Sequence, residues 1–177
     1  RADFSQAAGE KCWEAAWILS RPSPRLEAES VDSPGSRRFS DSGVYILRNQ
    51  RAHMLVEAGR LGTGGLGGHN HYNPLGLELW MNGKVLFADP GTYTYSSDWQ
   101  ARELFRSVRS HNTVEAEEES TGKMAPMDLF RLRWGGTSRE REWTSDGRTD
   151  CVCLERIGPE FNPLRRVCSN KEEPGFE

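Results

Sequence analysis

Hydrophobic and polar residues alternate with a period of two through much of the chain after residue 41. In residues 75–81, leucine or methionine occupies every second position, which is typical of a strand with one face toward a core. Asn82 and Gly83 follow, and this dipeptide favours the positive φ values of a two-residue hairpin turn. The pattern therefore predicts a hairpin whose second strand covers 84–88.

Similar runs separated by turn residues predict further strands at 43–49, 53–59, 111–117, 127–134, 138–144, 150–157 and 164–169. One segment differs, because 6–19 carries apolar residues at helical spacing. Arg-Pro-Ser-Pro follows at 21–24 and ends that helix, since proline cannot continue the hydrogen-bond ladder. At least seven strands against one helix predict an all-β fold, an antiparallel β-sandwich with one short N-terminal helix.

Composition and charge narrow the class of protein. The chain has 177 residues, which suits a single domain with a proper core. Its net charge is -3 and no segment is strongly basic, so we expect no nucleic-acid partner. No apolar run approaches the ~20 residues of a membrane helix, so we expect no membrane role.

The N-terminal part differs in character from the rest of the chain. Residues 25–42 combine proline, serine, glycine and mixed charges with little periodicity, and they predict a linker. The linker divides a helical segment, 1–24, from a sandwich at 43–177 whose completeness at the C-terminus the sequence leaves open. Because the chain begins with Arg1, we expect it to belong to a longer protein.

The four cysteines lack the spacing of a zinc finger or a CxxC pair. Cys151 and Cys153 would share a face of one strand, and Cys168 can lie across a hairpin from either, so a disulfide is open. Small buried thiols, Cys12 included, are the favoured interpretation because free cysteine is usually buried.

The glycine-rich run GRLGTGGLGG, 59–68, precedes the densest group of candidate functional residues. It is not followed by the Gly-Lys-Ser/Thr of a phosphate-binding loop. A loop that lets the backbone approach a ligand closely is the favoured interpretation.

His69 and His71 follow this loop, and in an extended segment their side chains would share one face. Asp89 and His111 supply a further carboxylate and imidazole, and two of these histidines with the one carboxylate would make a tetrahedral zinc site with one open position. Three competing interpretations stay open: hydrogen-bonded surface or turn histidines, an Asx-turn at Asp89, and His111 capping a strand.

Four blocks in order resemble the heparinase II/III-like domain, the C-terminal β-sandwich, supersandwich-like, of a group of polysaccharide lyases. They read GGHNH, DPGTY, FRS and SHNT, at 67–71, 89–93, 105–107 and 110–113. The strong likeness covers 65–115, and a weaker one continues through 150–167.

The resemblance implies an α/α toroid upstream, with 1–24 as its remnant, and β-elimination of a uronic-acid polysaccharide bound between the two domains. It implies His69 as a catalytic residue, and His71, Asp89 and His111 as ligands of a structural divalent metal, zinc. An acidic polysaccharide and the toroid would be the partners, and the location periplasmic or secreted. Without the toroid, we expect the isolated chain to be inactive.

Substrate contacts are expected from Tyr93, Tyr95, Arg106 and Asn112. Three more side chains of the same kinds are further candidates: Trp99, Arg102 and Arg109. Aromatic rings can stack on sugars and a guanidinium fork fits a sugar carboxylate. Core packing and ion pairs with Glu103 or Asp98 are the competing interpretations. Leu104 departs from the family, which often has tyrosine there.

Two alternatives from other classes remain. A cupin-like metal-dependent oxygenase or isomerase would carry a glutamate close behind His-x-His, whereas Glu78 comes later, after a proline. Iron in place of zinc would favour it. A non-catalytic carbohydrate-binding module would bind polysaccharide without cleaving it.

Overall fold

The computed structural model describes residues 35–60, 62, 67–115, 130–132, 136–158, 161–173 and 175–176. In these ranges, two antiparallel sheets contain all the strands. The first sheet has the order β1 (Arg37–Phe39), β2 (Val44–Arg48), β3 (Ala52–Glu57), β4 (Leu77–Met81) and β5 (Lys84–Phe87). The second has the order β6 (Thr137–Ser145), β7 (Thr149–Ile157) and β8 (Leu164–Asn170). Between the sheets in sequence lie helix α1 (Trp99–Arg106) and a 3-10 turn, Val108–Ser110.

The hydrophobic core lies between the two sheets. Alternate residues of β2 are buried, with Tyr45 and Leu47 inward and their neighbours half-buried, as a strand covered on one face requires. Val152 and Leu154 of β7 are fully buried in the same cluster. Two antiparallel sheets sharing one core make a β-sandwich, so the predicted fold class is confirmed.

Most predicted strands match observed ones. Three predictions differ from the structure: one strand is wrong, one falls mostly outside the described residues, and one helix was not predicted. Residues 111–115 are irregular, so the strand predicted at 111–117 is wrong there, because their polar groups bind neighbouring loops instead of a ladder. The strand predicted at 127–134 falls mostly outside the described residues, and 130–132 are not in a strand. Helix α1 was not predicted; Asp98 caps it by accepting from the amide of Ala101 at 3.0 Å.

The predicted N-terminal helix at 6–19, and with it the whole segment 1–24, lies outside the described residues. Of the predicted linker, 25–42, the part from Gly35 onward is described, and it contains strand β1. Among the described residues, no helix has the length and apolar character needed to cross a membrane.

A disulfide joins the second and third strands of the second sheet. Cys151 in β7 and Cys168 in β8 are register partners and are bonded to each other, whereas Cys153 is a free thiol. The favoured interpretation of free thiols is therefore wrong for this pair. Alternate positions of antiparallel strands bring such residues directly opposite one another, which makes the bond geometrically accessible.

Replacing Cys151 and Cys168 together by alanine is expected to lower the free energy of unfolding by about 2–4 kcal/mol, since the bond closes a loop in the unfolded chain. Urea denaturation under oxidising conditions measures the difference. Cys153→Ala is the matched control, and its midpoint should stay close to that of the parent chain. An unchanged urea midpoint for the parent chain after reduction would contradict the prediction.

Candidate functional site

Three loops between residues 67 and 115 bring the predicted metal ligands together. His71 precedes β4, Asp89 follows β5, and His111 follows the 3-10 turn. One ligand atom from each lies within 4.8 Å of the others. Nδ1 of His111 is 2.6 Å from Oδ2 of Asp89, and the rings of His71 and His111 are 5.2 Å apart between centroids.

The position of Asp89 depends on the turn that begins with it. Its Oδ1 accepts from the amide of Gly91 at 2.8 Å, which is the Asx-turn that the sequence allowed. Its Oδ2 remains available to the ring of His111. The turn and the cluster therefore coexist, one oxygen serving each.

His111 is held from both sides along the chain. Its amide donates to the carbonyl of Val108, which closes the 3-10 turn, and its side chain is buried. The next residue, Asn112, donates from Nδ2 to the carbonyl of Ala88 at 2.9 Å. This bond joins the segment of His111 to the residue before Asp89, so the two ligands are fixed relative to each other.

The second sheet also supports this segment. Arg165 of β8 donates from Nη1 to the carbonyl of Asn112 at 3.1 Å and to the carbonyl of Leu75. The carbonyl of Asn112 accepts in addition from the amide of Leu77 at 3.2 Å. Asn112, predicted to contact substrate, thus makes its described hydrogen bonds within the protein.

His71 is a neutral imidazole whose Nε2 accepts a hydrogen bond. Nη1 of Arg102 lies 3.2 Å from Nε2, and because a guanidinium only donates, the ring nitrogen must accept. Burial lowers the pKa of His71 to about 4, and the neighbouring His111 and Arg102 act in the same direction. A neutral ring is the form that binds metal ions.

The donor set fits a divalent metal ion. Two imidazoles and one carboxylate are ligands that zinc accepts, and three protein ligands leave a fourth position open. Nε2 of His111 is buried and has no hydrogen-bond partner among the described residues. A buried ring nitrogen without a partner is costly, and a nearby metal ion is one way of satisfying such a group.

His69 lies apart from the three ligands and is exposed. Its φ is 62°, in the left-handed region, so residues 69–71 are not extended and the expectation that both imidazoles share one face is wrong. The ring meets Tyr95 edge-on at 5.9 Å and Phe130 at 6.1 Å between centroids. The ring of His69 is therefore exposed to solvent and packs against two aromatic side chains.

Tyr93 is the most exposed aromatic side chain near the cluster, at 75% of its surface. Its φ of 58° is again left-handed, and its ring stacks on Phe105 with the centroids 4.9 Å apart. Tyr95 is half-exposed and lies beneath the guanidinium of Arg102. Both tyrosines thus offer ring surface outside the protein core.

Arg106 is buried and forms an ion pair with Glu103 at 2.8 Å. This ion pair was the competing interpretation to a substrate contact. The carbonyl of Arg106 accepts from the amide of Tyr72 at 2.8 Å, which links α1 to the segment of His71. Arg109 is exposed and pairs with Glu115.

Sequence reasoning missed the contact of Arg102 with His71, the stacking partner Phe105, and the reach of Arg165 from the other sheet. The sequence does carry one signal for Arg102: it is four residues from Arg106, so the two side chains share one face of a helix and can be buried together. This signal was not recognised since the helix itself was not predicted.

Comparisons with known proteins show which family the chain resembles. The sequence model of the family described as heparinase II/III-like, C-terminal, matches residues 31–151, more than half of the chain. A heparin-sulfate lyase of Bacteroides stercoris is 34% identical over 86 residues, which cover 45% of this chain and 12% of that protein.

Solved structures share the fold. A heparinase III gene product has a TM-score of 0.61 at 24% identity, covering 81% of this chain and 22% of its own. A heparan sulfate lyase of Pedobacter heparinus has a TM-score of 0.58 at 17% identity, covering 94% of this chain and 25% of its own. The chain thus spans a quarter or less of the length of these proteins.

Proposed function

Because the chain belongs to the heparinase II/III-like C-terminal family, we propose that it is the sandwich domain of a polysaccharide lyase. The reaction is β-elimination on a uronic-acid-containing polysaccharide. The observation that carries the proposal is an exposed histidine, His69, which contacts aromatic rings and lies two residues before His71 of a partly buried cluster of metal-type ligands. Such a domain needs a side chain that faces the substrate, here His69, and a rigid structure that fixes its position, here the three clustered residues.

The chemistry of elimination defines what the residues must supply. A base removes the proton at C5 of the uronate, an acid protonates the departing O4, and a double bond forms between C4 and C5. Charge developing on the uronate carboxylate must be stabilised as the C5 proton leaves. The step uses no water nucleophile, so the site needs no activated water.

His69 is the residue of this chain that we assign to the reaction. Its exposed ring can reach a bound sugar, and its contacts with Tyr95 and Phe130 restrict the orientation of that ring. An imidazole can act as the base or, when protonated, neutralise the uronate carboxylate. Restricting the ring beforehand lowers the entropy lost in reaching the reactive geometry.

His71, Asp89 and His111 would hold a divalent ion, zinc, in a structural role. A bound ion would supply fixed positive charge and would join the three loops that carry its ligands. His71 is two residues from His69, so a bound ion that fixes the backbone at His71 would also restrict the backbone at His69. Asn112 and Arg165 contribute to the same order through the loop carbonyls.

Sugar contacts are assigned to Tyr93 and Tyr95, whose rings are accessible. Arg106 is buried against Glu103, which supports a role in positioning α1 over direct binding of the substrate. The name of the Bacteroides relative supports heparin- or heparan-like chains as substrate, with alginate and exopolysaccharides as the other uronic-acid candidates.

The partner of this domain is proposed to be an upstream toroid in the same protein. The chain spans only 12% of the Bacteroides lyase, which supports the view that most of the catalytic machinery is contributed elsewhere. The proposed location is periplasmic or secreted. The disulfide between Cys151 and Cys168 supports it, because such bonds persist in oxidising compartments.

The cupin-like alternative finds no support in the site. Glu78, its candidate ligand, lies in β4 and is not one of the three clustered groups. Burial raises the pKa of its carboxyl, helped by Asp89 and Glu57.

The proposal is tested by incubating the protein that contains both this chain and its upstream domain with heparan sulfate and with alginate. Elimination creates a C4–C5 double bond, so we expect rising ultraviolet absorbance and unsaturated oligosaccharides by mass spectrometry. The 177-residue chain alone, as the control, is expected to give no product. Saturated products would contradict elimination, and cleavage by the chain alone would contradict the need for a second domain. Binding without cleavage would favour a carbohydrate-binding module.

A further inference from the structure

Arg102 is a buried cation placed against a metal-type ligand. Its side chain is fully buried in α1, and its Nη1 is 3.2 Å from Nε2 of His71. Its Cζ lies 4.9 Å from the ring centroid of Tyr95, and its Nε has no hydrogen-bond partner among the described residues. In the described part of the chain no carboxylate forms an ion pair with it, which is unusual for a buried arginine.

The hydrogen bond from Arg102 engages the lone pair of Nε2 of His71. A guanidinium has donors and no acceptor, so the hydrogen bond occupies the lone pair of Nε2 and leaves the ring proton on Nδ1. A ring nitrogen has one lone pair, and metal coordination through that nitrogen requires it. Arg102 and a metal ion are therefore mutually exclusive partners of Nε2. The hydroxyl of Thr92 lies at a longer distance, 3.4 Å from the same nitrogen, as a second donor to that lone pair.

The charge of Arg102 acts in the same direction as this exclusion. Within a few ångströms and away from bulk water, a fixed positive charge disfavours the arrival of a second cation. The ring of Tyr95 stabilises the guanidinium where it lies, since its face attracts cations.

From these contacts we propose that Arg102 occupies the metal-coordinating lone pair of His71 in the metal-free protein and thereby limits the affinity of the site. The ion binds only by displacing the guanidinium from Nε2. Arg102 is thus a positioning residue that holds the ring of His71 through Nε2 until a metal ion displaces it. The inference rests on the metal site of the proposed function and adds a regulator of its occupancy.

Zinc affinity, measured in competition with a chromophoric chelator, tests the proposal on the whole chain. Arg102→Met keeps a side chain of similar length without charge or donors, and replacing a buried charge by an apolar group is often tolerated by the fold. We expect the zinc dissociation constant to fall by about tenfold or more when the competing cation is removed. An unchanged or larger constant would overturn the proposal.

Two further variants sharpen the comparison. Arg109→Met makes the same change of charge at an exposed residue that pairs with Glu115, and it is expected to leave the constant unchanged. Arg102→Lys keeps the positive charge with a shorter reach, and its constant should lie between those of the parent chain and Arg102→Met. A fall of equal size in Arg109→Met would mean that net charge alone controls the affinity and would overturn the proposal.

A measurement on the unmodified chain does not depend on any variant folding. Nitrogen-15 spectra of the metal-free chain should show His71 protonated at Nδ1 and accepting at Nε2. Addition of zinc should move Nε2 to a metal-bound shift and change the side-chain signals of Arg102. Arg102 signals identical with and without bound zinc would overturn the inference while leaving the site intact, whereas the absence of zinc binding in the parent chain would overturn the metal site of the proposed function as well.

Discussion

His111→Ala is expected to abolish stoichiometric zinc binding and to lower the thermal midpoint in the presence of zinc by about 10 °C. The side chain is buried and meets Asp89 at 2.6 Å, so its loss removes one ligand and leaves the carboxylate without that partner. An ion that binds only the folded state adds stability in proportion to the logarithm of its concentration over its dissociation constant. Removing a ligand cancels that contribution.

Elemental analysis and thermal denaturation, with and without a chelator, measure both parts of this prediction. His53→Ala is the matched control, because His53 is exposed in β3 and stacks on Trp80 away from the three ligands. It should keep one zinc ion per chain and the same shift of its thermal midpoint on addition of chelator as the parent shows. If the parent's midpoint does not respond to chelator and His111→Ala retains zinc, the three residues do not form the site.

His69→Ala is expected to lower kcat/KM of the complete enzyme by about 10²–10⁴-fold while leaving zinc content unchanged. The exposed ring makes aromatic contacts and takes no part in the metal cluster, so its truncation removes a reacting group without releasing a ligand. The pairing of lost turnover with intact metal separates His69 from His111, whose replacement should affect both.

Initial rates of ultraviolet absorbance on the polysaccharide that the parent enzyme cleaves provide the measurement, together with elemental analysis of the same preparations. His53→Ala again serves as the control for a histidine-to-alanine change and should retain the parent's rate. Partial recovery by added imidazole would support a proton-transfer role. Full activity of His69→Ala would remove His69 from the reaction.

Local periodicity was sufficient to predict much of the sandwich. The alternation in 75–81 and the turn at Asn82 and Gly83 correspond to β4, β5 and their connection, since a half-buried strand imposes a period of two on its own sequence. The grouping of His71, Asp89 and His111 was anticipated mainly through the resemblance to the family. Spacing alone did not constrain three separate loops to one point.

Helix α1 was missed for a specific reason. Its fully buried residues are Arg102 and Arg106, so the inward face is made of charged side chains. A pattern of hydrophobic and polar residues assigns arginine to the surface, and the burial here depends on partners such as His71 and Glu103 from the tertiary structure. The divergence of His69 from the face of His71 escaped prediction because a positive φ at a histidine has no sequence signature.

The left-handed backbone at His69 and Tyr93 is less stable with these residues than with glycine, although their side chains are the ones to which we assign function. Residues with a Cβ pay roughly 1–2 kcal/mol in that region, whereas glycine adopts it freely. Selection for thermostability alone, in a laboratory library for instance, should therefore enrich glycine at both positions. Such clones would lack the His69 imidazole and the exposed Tyr93 ring to which we assign the reaction and the sugar contact, so a screen of this protein must score turnover and stability together.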